Sequence, residues 1–273
     1  MGRGEIDAVK LTQNIPAGGH YYDAATGEPR HFIAKKDGSG LRPTTVADAR
    51  KNGWLPSATT ILKCLDKPAL TVWHKRNAAI AALTTPRNDG EDLDTFLERV
   101  LSRDSESISD AAKQLGTEVH DAIEKALTGE AYNDALRPYV EPVMLALGEF
   151  GKPIIVEKTV VGDGYAGRVD CVSQNGDGLT VVDFKTTGSE KLPKKSYTEH
   201  AMQLSSYAAA LGNITDEFDK IRTCNIYIST ARPGEISVAI NEDWCNDYEG
   251  FKLTLALWRW LNKYPQPNVK GQL

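Results

Sequence analysis

Between residues 154 and 185 the chain carries three extended runs separated by two glycine-centred turns, and no other stretch restricts its fold so tightly. Ile154–Val161 ends at Gly162-Asp163-Gly164, Tyr165–Ser173 ends at Asn175-Gly176-Asp177-Gly178, and Leu179–Lys185 follows. Asn-Gly and Asp-Gly between such runs supply the positive φ that tight hairpin turns need. The segment therefore reads as a three-stranded antiparallel meander. Two further runs, Ile221–Thr230 and Ile236–Asn241, are joined through Pro233-Gly234 and extend a small mixed sheet.

Elsewhere the apolar residues recur at helical spacing. Pro68 suits the first turn of a helix over Pro68–Leu83; a polar break at Thr84–Glu91 follows, then a helix over Asp92–Ser102. Ala112, Leu115, Val119, Ala122 and Ala126 form one stripe of a helix over Ser107–Leu127, closed by Gly129. Further helices are expected at Asp134–Phe150, Thr198–Leu211 and Asp243–Lys263. Residues 15–56 read as turns and short strands, with helices beginning near Pro56. The class is α+β, a small central mixed β-sheet flanked by helices, with a helical N-terminal half. The expected divisions are a turn-rich arm over 1–56, a helical extension over 57–106 and a core over 107–273, the last two forming one compact unit.

Composition narrows the setting. With 273 residues, 41% hydrophobic and 25% charged, the chain resembles an ordinary soluble globular protein. No apolar run is long enough to span a membrane, and MGRGEIDAVK lacks the apolar stretch of a secretory signal, so a cytoplasmic location is expected. Cys64, Cys171, Cys224 and Cys245 contain no C-x-x-C pair, which argues against a zinc ribbon or a disulfide framework. The net charge of −5 does not advertise a nucleic-acid binder. Phosphate contacts come from a local basic patch, however, and a site rich in carboxylates lowers the chain average.

Side chains alternate along a strand, so Asp183 and Lys185 in VVDFKTT share a face, as do Arg168 and Asp170 on the preceding strand. The short NGDG connection sets those strands side by side, where two carboxylates can converge on one cation beside an ammonium. Phosphodiester hydrolysis asks for that combination: a hard divalent ion held by oxygens, with a lysine to orient or deprotonate water or to stabilise developing charge. Taken alone, Asp183-x-Lys185 reads as an edge-strand ion pair. Its context favours chemistry, because it is the only acidic-x-Lys in the chain and follows a hairpin carrying another Asp. His120 lies off the apolar stripe of its helix, and Gly116, one turn earlier, would let that helix approach the sheet closely. Gln203 and Tyr207 lie four apart on one face of a later helix.

The series Gly116-x-x-x-His120, an acidic residue on a strand (Glu157), GRVD, VVDFKT and QLSSY resembles the RecB-type branch of the PD-(D/E)xK nuclease superfamily over Gly116 to Leu211. That branch includes phage-encoded exonucleases, CRISPR-adaptation exonucleases and the mitochondrial genome maintenance exonuclease. LPSATTILKCL followed by Trp73 resembles, more loosely, the N-terminal helical part of phage-encoded members. The resemblance implies a restriction-endonuclease-like core and a divalent metal, Mg2+ or Mn2+, bound by His120, Asp170, Asp183 and the main-chain carbonyl of Phe184. It implies Lys185 as the catalytic lysine, Glu157 as an acid assisting the attacking water, and Gln203 and Tyr207 as residues that contact substrate or organise the site. Some members carry an iron–sulfur cluster on clustered cysteines; Cys224 and Cys245 are far apart in sequence, so none is expected here. The implied activity is cleavage of DNA, as an exonuclease on single-stranded or duplex ends, with an endonuclease or a non-catalytic DNA-binding subunit as alternatives. A phage or bacterial role in replication, recombination or repair, with a protein partner from those processes, follows from the same likeness. Arg168 and the basic run Lys191, Lys194 and Lys195 are candidate phosphate contacts; the run reads equally well as a solvated loop.

Overall fold

The computed structural model describes residues 19–212 and 220–265, apart from the side chains of residues 69–70 and 102–110; positions 15–18 of the turn-rich segment lie outside the described residues. The N-terminal arm comprises β1 (Tyr21–Tyr22), β2 (Phe32–Ala34), β3 (Leu41–Pro43), α1 (Val46–Asn52), β4 (Leu55–Pro56) and α2 (Ala58–Leu62). β1 pairs antiparallel with β4, and β2 with β3. The helix α1 precedes the point at which helices were expected to begin. Thr45 and Asp48 form a capping box, and Gly53 closes the helix at φ 67°. Both signals stand in the sequence, but a helix of 7 residues with Ala49 as its buried residue has no apolar stripe to announce it.

Next come α3 (Pro68–Thr84) and α4 (Leu93–Thr128), a helical hairpin closed by Ala81, Phe96 and Val100. The two helices expected over Asp92–Leu127 are one, of 36 residues. The polar run Ser102–Ser107 suggests a break because Ser and Asp favour caps, yet their propensity penalty inside a helix is only a few tenths of a kcal/mol each, about the scale that one long helix absorbs. Asp92 caps its start by accepting from the Thr95 N–H, and Gly129 ends it at φ 78°. A 3₁₀ turn at Asp134–Leu136 leads into α5 (Arg137–Gly148).

The meander follows as β5 (Lys152–Gly162), β6 (Tyr165–Asn175) and β7 (Gly178–Thr187), with Gly164 at φ 77° and Gly176 at φ 57° in its two turns. After α6 (Thr198–Gly212), β8 (Ile221–Ser229) joins parallel to β7, and β9 (Ile236–Asn241) joins antiparallel to β8. The sheet order is β5-β6-β7-β8-β9, and α7 (Trp244–Asn262) completes the described chain. The parallel step needs a crossover, which α6 provides.

Each sheet face carries its own core. On one side Val172, Val181, Leu204, Tyr207, Phe251 and Trp258 pack the sheet against α6 and α7. On the other Val119, Ile123, Val143, Val182, Phe184 and Ile226 pack it against α4 and α5. The result is a mixed α+β fold with a five-stranded sheet between two helical layers, the architecture that the restriction-endonuclease-like resemblance implies. No helix among the described residues is long and apolar enough to cross a membrane. Cys171 and Cys224 are buried thiols, Cys64 is half-buried and Cys245 exposed.

Candidate active site

The β6–β7 ladder stops at the pair Cys171↔Val182, one residue short of Asp170 and Asp183. From there the strands part. The Phe184 N–H, left without a ladder acceptor, donates to Asp170 Oδ2 at 2.8 Å. A carboxylate thus stands where backbone pairing has ended, at the mouth between two strands. On the other side of Asp170, Glu157 falls between the pairs Val156↔Cys171 and Lys158↔Val169. Its φ is +47°, a conformation that costs a non-glycine residue about 1–2 kcal/mol.

α4 brings His120 to the same place. A Cβ at Gly116 would lie 2.8 Å from Thr186 Oγ1, so the bare glycine sets how closely the helix lies on β7. His120 Nδ1 is 3.7 Å from Asp170 Oδ2. His120, Glu157 and Asp170 each offer one ligand atom, and these atoms lie within 4.8 Å of one another.

Asp183 belongs to a neighbouring cluster. It is 1% exposed, and Lys185 Nζ donates to it at 2.8–2.9 Å. Its two oxygens also accept from Gln203 Nε2 at 3.0 Å and from Asn225 Nδ2 at 3.1 Å. Gln203 reaches Tyr207 Oη at 3.1 Å as well, so both predicted α6 residues meet the site through this amide. Sequence reasoning passed over two contributors. Asn225, paired with Asp183 across β7–β8, is a fully buried amide between the apolar Cys224 and Ile226; a polar residue set between apolar neighbours in CNIYI is the signal that could have found it. Gly167 supplies space, since a Cβ there would sit 2.3 Å from the Tyr207 ring.

The predicted phosphate contacts fall on different elements, β6 and the segment between β7 and α6. Arg168 Nε is 2.5 Å from Glu157, and its Nη2 is 3.6 Å from Glu124 on α4. Lys191, Lys194 and Lys195 are exposed in the segment between β7 and α6.

Four carboxylates (Glu124, Glu157, Asp170 and Asp183) thus gather around Lys185 and Arg168. Burial and the Asp183 charge push the Asp170 carboxyl well above the usual range, against the pull of Lys185. Burial raises Glu157 to about 7, although Arg168 opposes it. Burial lowers Lys185, but Asp183 and Asp170 outweigh it and hold its ammonium above the ordinary lysine value. Burial, then Lys185, lowers His120, while hydrogen bonding to the Phe184 main chain acts the other way. A neutral imidazole beside carboxylates that resist ionisation is a donor set short of positive charge, and a divalent cation fits it.

These shifts fix a pH dependence. Glu157 takes up its proton more readily folded, at about 7, than at its ordinary 4.5, so its stabilising contribution is complete below 4.5 and is lost as pH rises through 7. The buried histidines titrate in the opposite sense, so the comparison with Glu157→Gln isolates this group. In chelator, thermal melts at pH 5 and pH 7 should show the wild type losing more stability than Glu157→Gln as pH rises, and excess Mn2+ should narrow the gap. Equal losses in the two proteins would contradict the assigned burial of Glu157.

A model of the PD-(D/E)XK nuclease superfamily matches residues 71–240. The chain belongs to that superfamily. As a member it is a metal-dependent nuclease, and the matched range includes Asp170, Asp183 and Lys185. No curated protein matches the chain. Among solved structures, "Crystal structure of SSO0001" is similar at 17% identity, over 69% of this chain and 86% of that one, with a TM-score of 0.32.

Proposed function

We propose that this nuclease is an exonuclease that degrades DNA from its ends, using Mg2+ or Mn2+ bound at the mouth between β6 and β7. The metal would be held by His120, Asp170 and Glu157, with Asp183 and the main-chain carbonyl of Phe184 beside them. When bound, it would supply positive charge to the phosphate and make water more acidic. An imidazole among oxygens favours Mn2+ over Mg2+ in affinity.

The chain's own residues divide the remaining work. Lys185 keeps its proton at neutral pH, so it serves as a cation that stabilises charge building on the phosphate, not as a base. Glu157, at about 7 in the metal-free site, would give up its proton on binding the ion. Gln203 and Asn225 fix the Asp183 carboxylate, which in turn fixes the Lys185 ammonium. Arg168 and the 191–195 lysines are assigned to the phosphate backbone.

One observation carries the exonuclease reading. α4 runs unbroken from the α3–α4 hairpin to His120, and Lys67 at the foot of α3 lies 3.4 Å from Glu199 at the start of α6. The hairpin is therefore rooted on both sides of the site, and a strand end threads such an arch more easily than a closed duplex. Trp73, Lys75 and Arg76 are exposed on α3, where they suit a single strand. The setting assigned is phage or bacterial DNA replication, recombination or repair, in the cytoplasm and beside a protein partner of those processes.

The test uses 5′- and 3′-labelled linear DNA, single- and double-stranded, and a covalently closed circle, each with Mn2+. Linear DNA should be shortened from one labelled end while the circle persists. Nicking or linearisation of the circle would overturn the exonuclease reading and leave an endonuclease.

A further inference from the structure

His200 lies on the site-facing side of α6, three residues before Gln203 and seven before Tyr207, a spacing that puts all three on one helix face. Its Nδ1 is 3.0 Å from the Tyr227 hydroxyl, and Tyr227 is paired with Lys185 across the β7–β8 ladder. The same hydroxyl accepts the Tyr197 main-chain N–H at 3.0 Å. A phenol that accepts from an amide has its own proton to give, and His200 Nδ1 is the acceptor within reach. That bond fixes the ring as the Nε2–H tautomer. The rings of Tyr197 and Tyr227 flank the imidazole at 5.5 and 5.8 Å. Burial and the Lys185 charge lower the imidazole to about 4, so it is neutral at working pH. The side chain is only half-buried, and Nε2 has no hydrogen-bond partner among the described residues.

We propose that His200 is a substrate-binding residue of the nuclease site, its Nε2–H donating a hydrogen bond to a phosphate oxygen of the DNA strand next to Lys185. The inference rests on the nuclease reading above. The fixed tautomer matters because a ring turned the other way would offer the phosphate a lone pair and repel it. Charge on the ring is not required, and neutrality avoids repulsion with the neighbouring ammonium.

Two amide replacements separate this role from a structural one. The glutamine amide nitrogen reaches the position of Nε2 and can donate there, whereas the asparagine carbonyl oxygen reaches that of Nδ1 and can accept from Tyr227. His200→Asn should retain the Tyr227 contact yet lose about tenfold in kcat/KM on linear DNA with Mn2+, as expected for one lost hydrogen bond to a charged phosphate. His200→Gln should stay within about threefold of wild type, since it keeps the donor. Tyr227→Phe, which frees the tautomer, should fall between them. Melting curves of the three variants and the wild type report any loss of fold. A site that only needs His200 to hold Tyr227 would give the reverse order, with His200→Asn the more active, and that result overturns the proposal. Equal activity of His200→Asn and wild type overturns it too, and leaves the nuclease reading intact. A wild type that cleaves no DNA overturns both.

Discussion

Replacing Lys185 with alanine is expected to lower metal-dependent DNA cleavage about a thousandfold, within the range set by removing one preorganised charge from a transition state. The ammonium is held 2.8 Å from Asp183, and no other lysine or arginine bonds to that carboxylate among the described residues. The same change carries a cost in stability, because Asp183 is 1% exposed and keeps only two amide donors. Stranding one member of a buried pair costs about 3–5 kcal/mol. Lys185 is 24% exposed, so water already screens part of the pair, and a loss of about 1–3 kcal/mol is expected. Steady-state cleavage and a thermal melt on the same preparation check both parts. Activity within tenfold of wild type, in a variant that still melts cooperatively, would place the chemistry elsewhere.

Asp170→Asn has the opposite signature on stability. The asparagine keeps an oxygen for the Phe184 N–H, which now lies 2.8 Å from Asp170 Oδ2, but it carries no charge. Burial and Asp183 both work against ionised Asp170, so removing the charge relieves the metal-free protein. In chelator the variant should melt a few degrees above wild type, at about 2–4 °C per kcal/mol for a chain of this size. Added Mn2+ should reverse the ranking. A ligand at about 100 times its Kd stabilises the wild type by about 2.7 kcal/mol, and the variant should gain almost nothing. Cleavage should fall at least as far as for Lys185→Ala. A variant that keeps the full Mn2+-dependent rise in Tm would show that Asp170 does not hold the ion.

The two hairpins were legible because their turn chemistry is local: Gly164 and Gly176 adopt the positive φ that their sequence context requires. Alternation along β6 and β7 then brought Asp170, Asp183 and Lys185 together. Helical spacing put Gly116 and His120 one turn apart and Gln203 and Tyr207 on one face, while their roles at the site came from the family resemblance. What stayed hidden depends on long-range contacts. Asn225 reaches Asp183 only because β8 joins parallel to β7 after the α6 crossover, 42 residues along the chain. No local pattern reveals that the β6–β7 ladder ends at Cys171, or that Glu157 sits at φ +47°. For the same reason alternation placed the two aspartates side by side without showing how they divide. Asp170 joins His120 and Glu157, while Asp183 is taken up by Lys185, Gln203 and Asn225. The polar run inside α4 and the short α1 show a further limit: cap-forming residues occur both at helix ends and within helices, and tertiary packing decides between the two.

The cluster at the mouth of β6 and β7 is proposed to cleave DNA with a divalent ion. The most direct test incubates wild type and Asp170→Asn, at matched folded fraction, with end-labelled linear DNA in Mg2+, Mn2+ or chelator. Wild type should cleave in either ion and not in chelator, and the variant should cleave under no condition. Cleavage that persists in chelator, or in the variant with an ion present, would contradict the proposal.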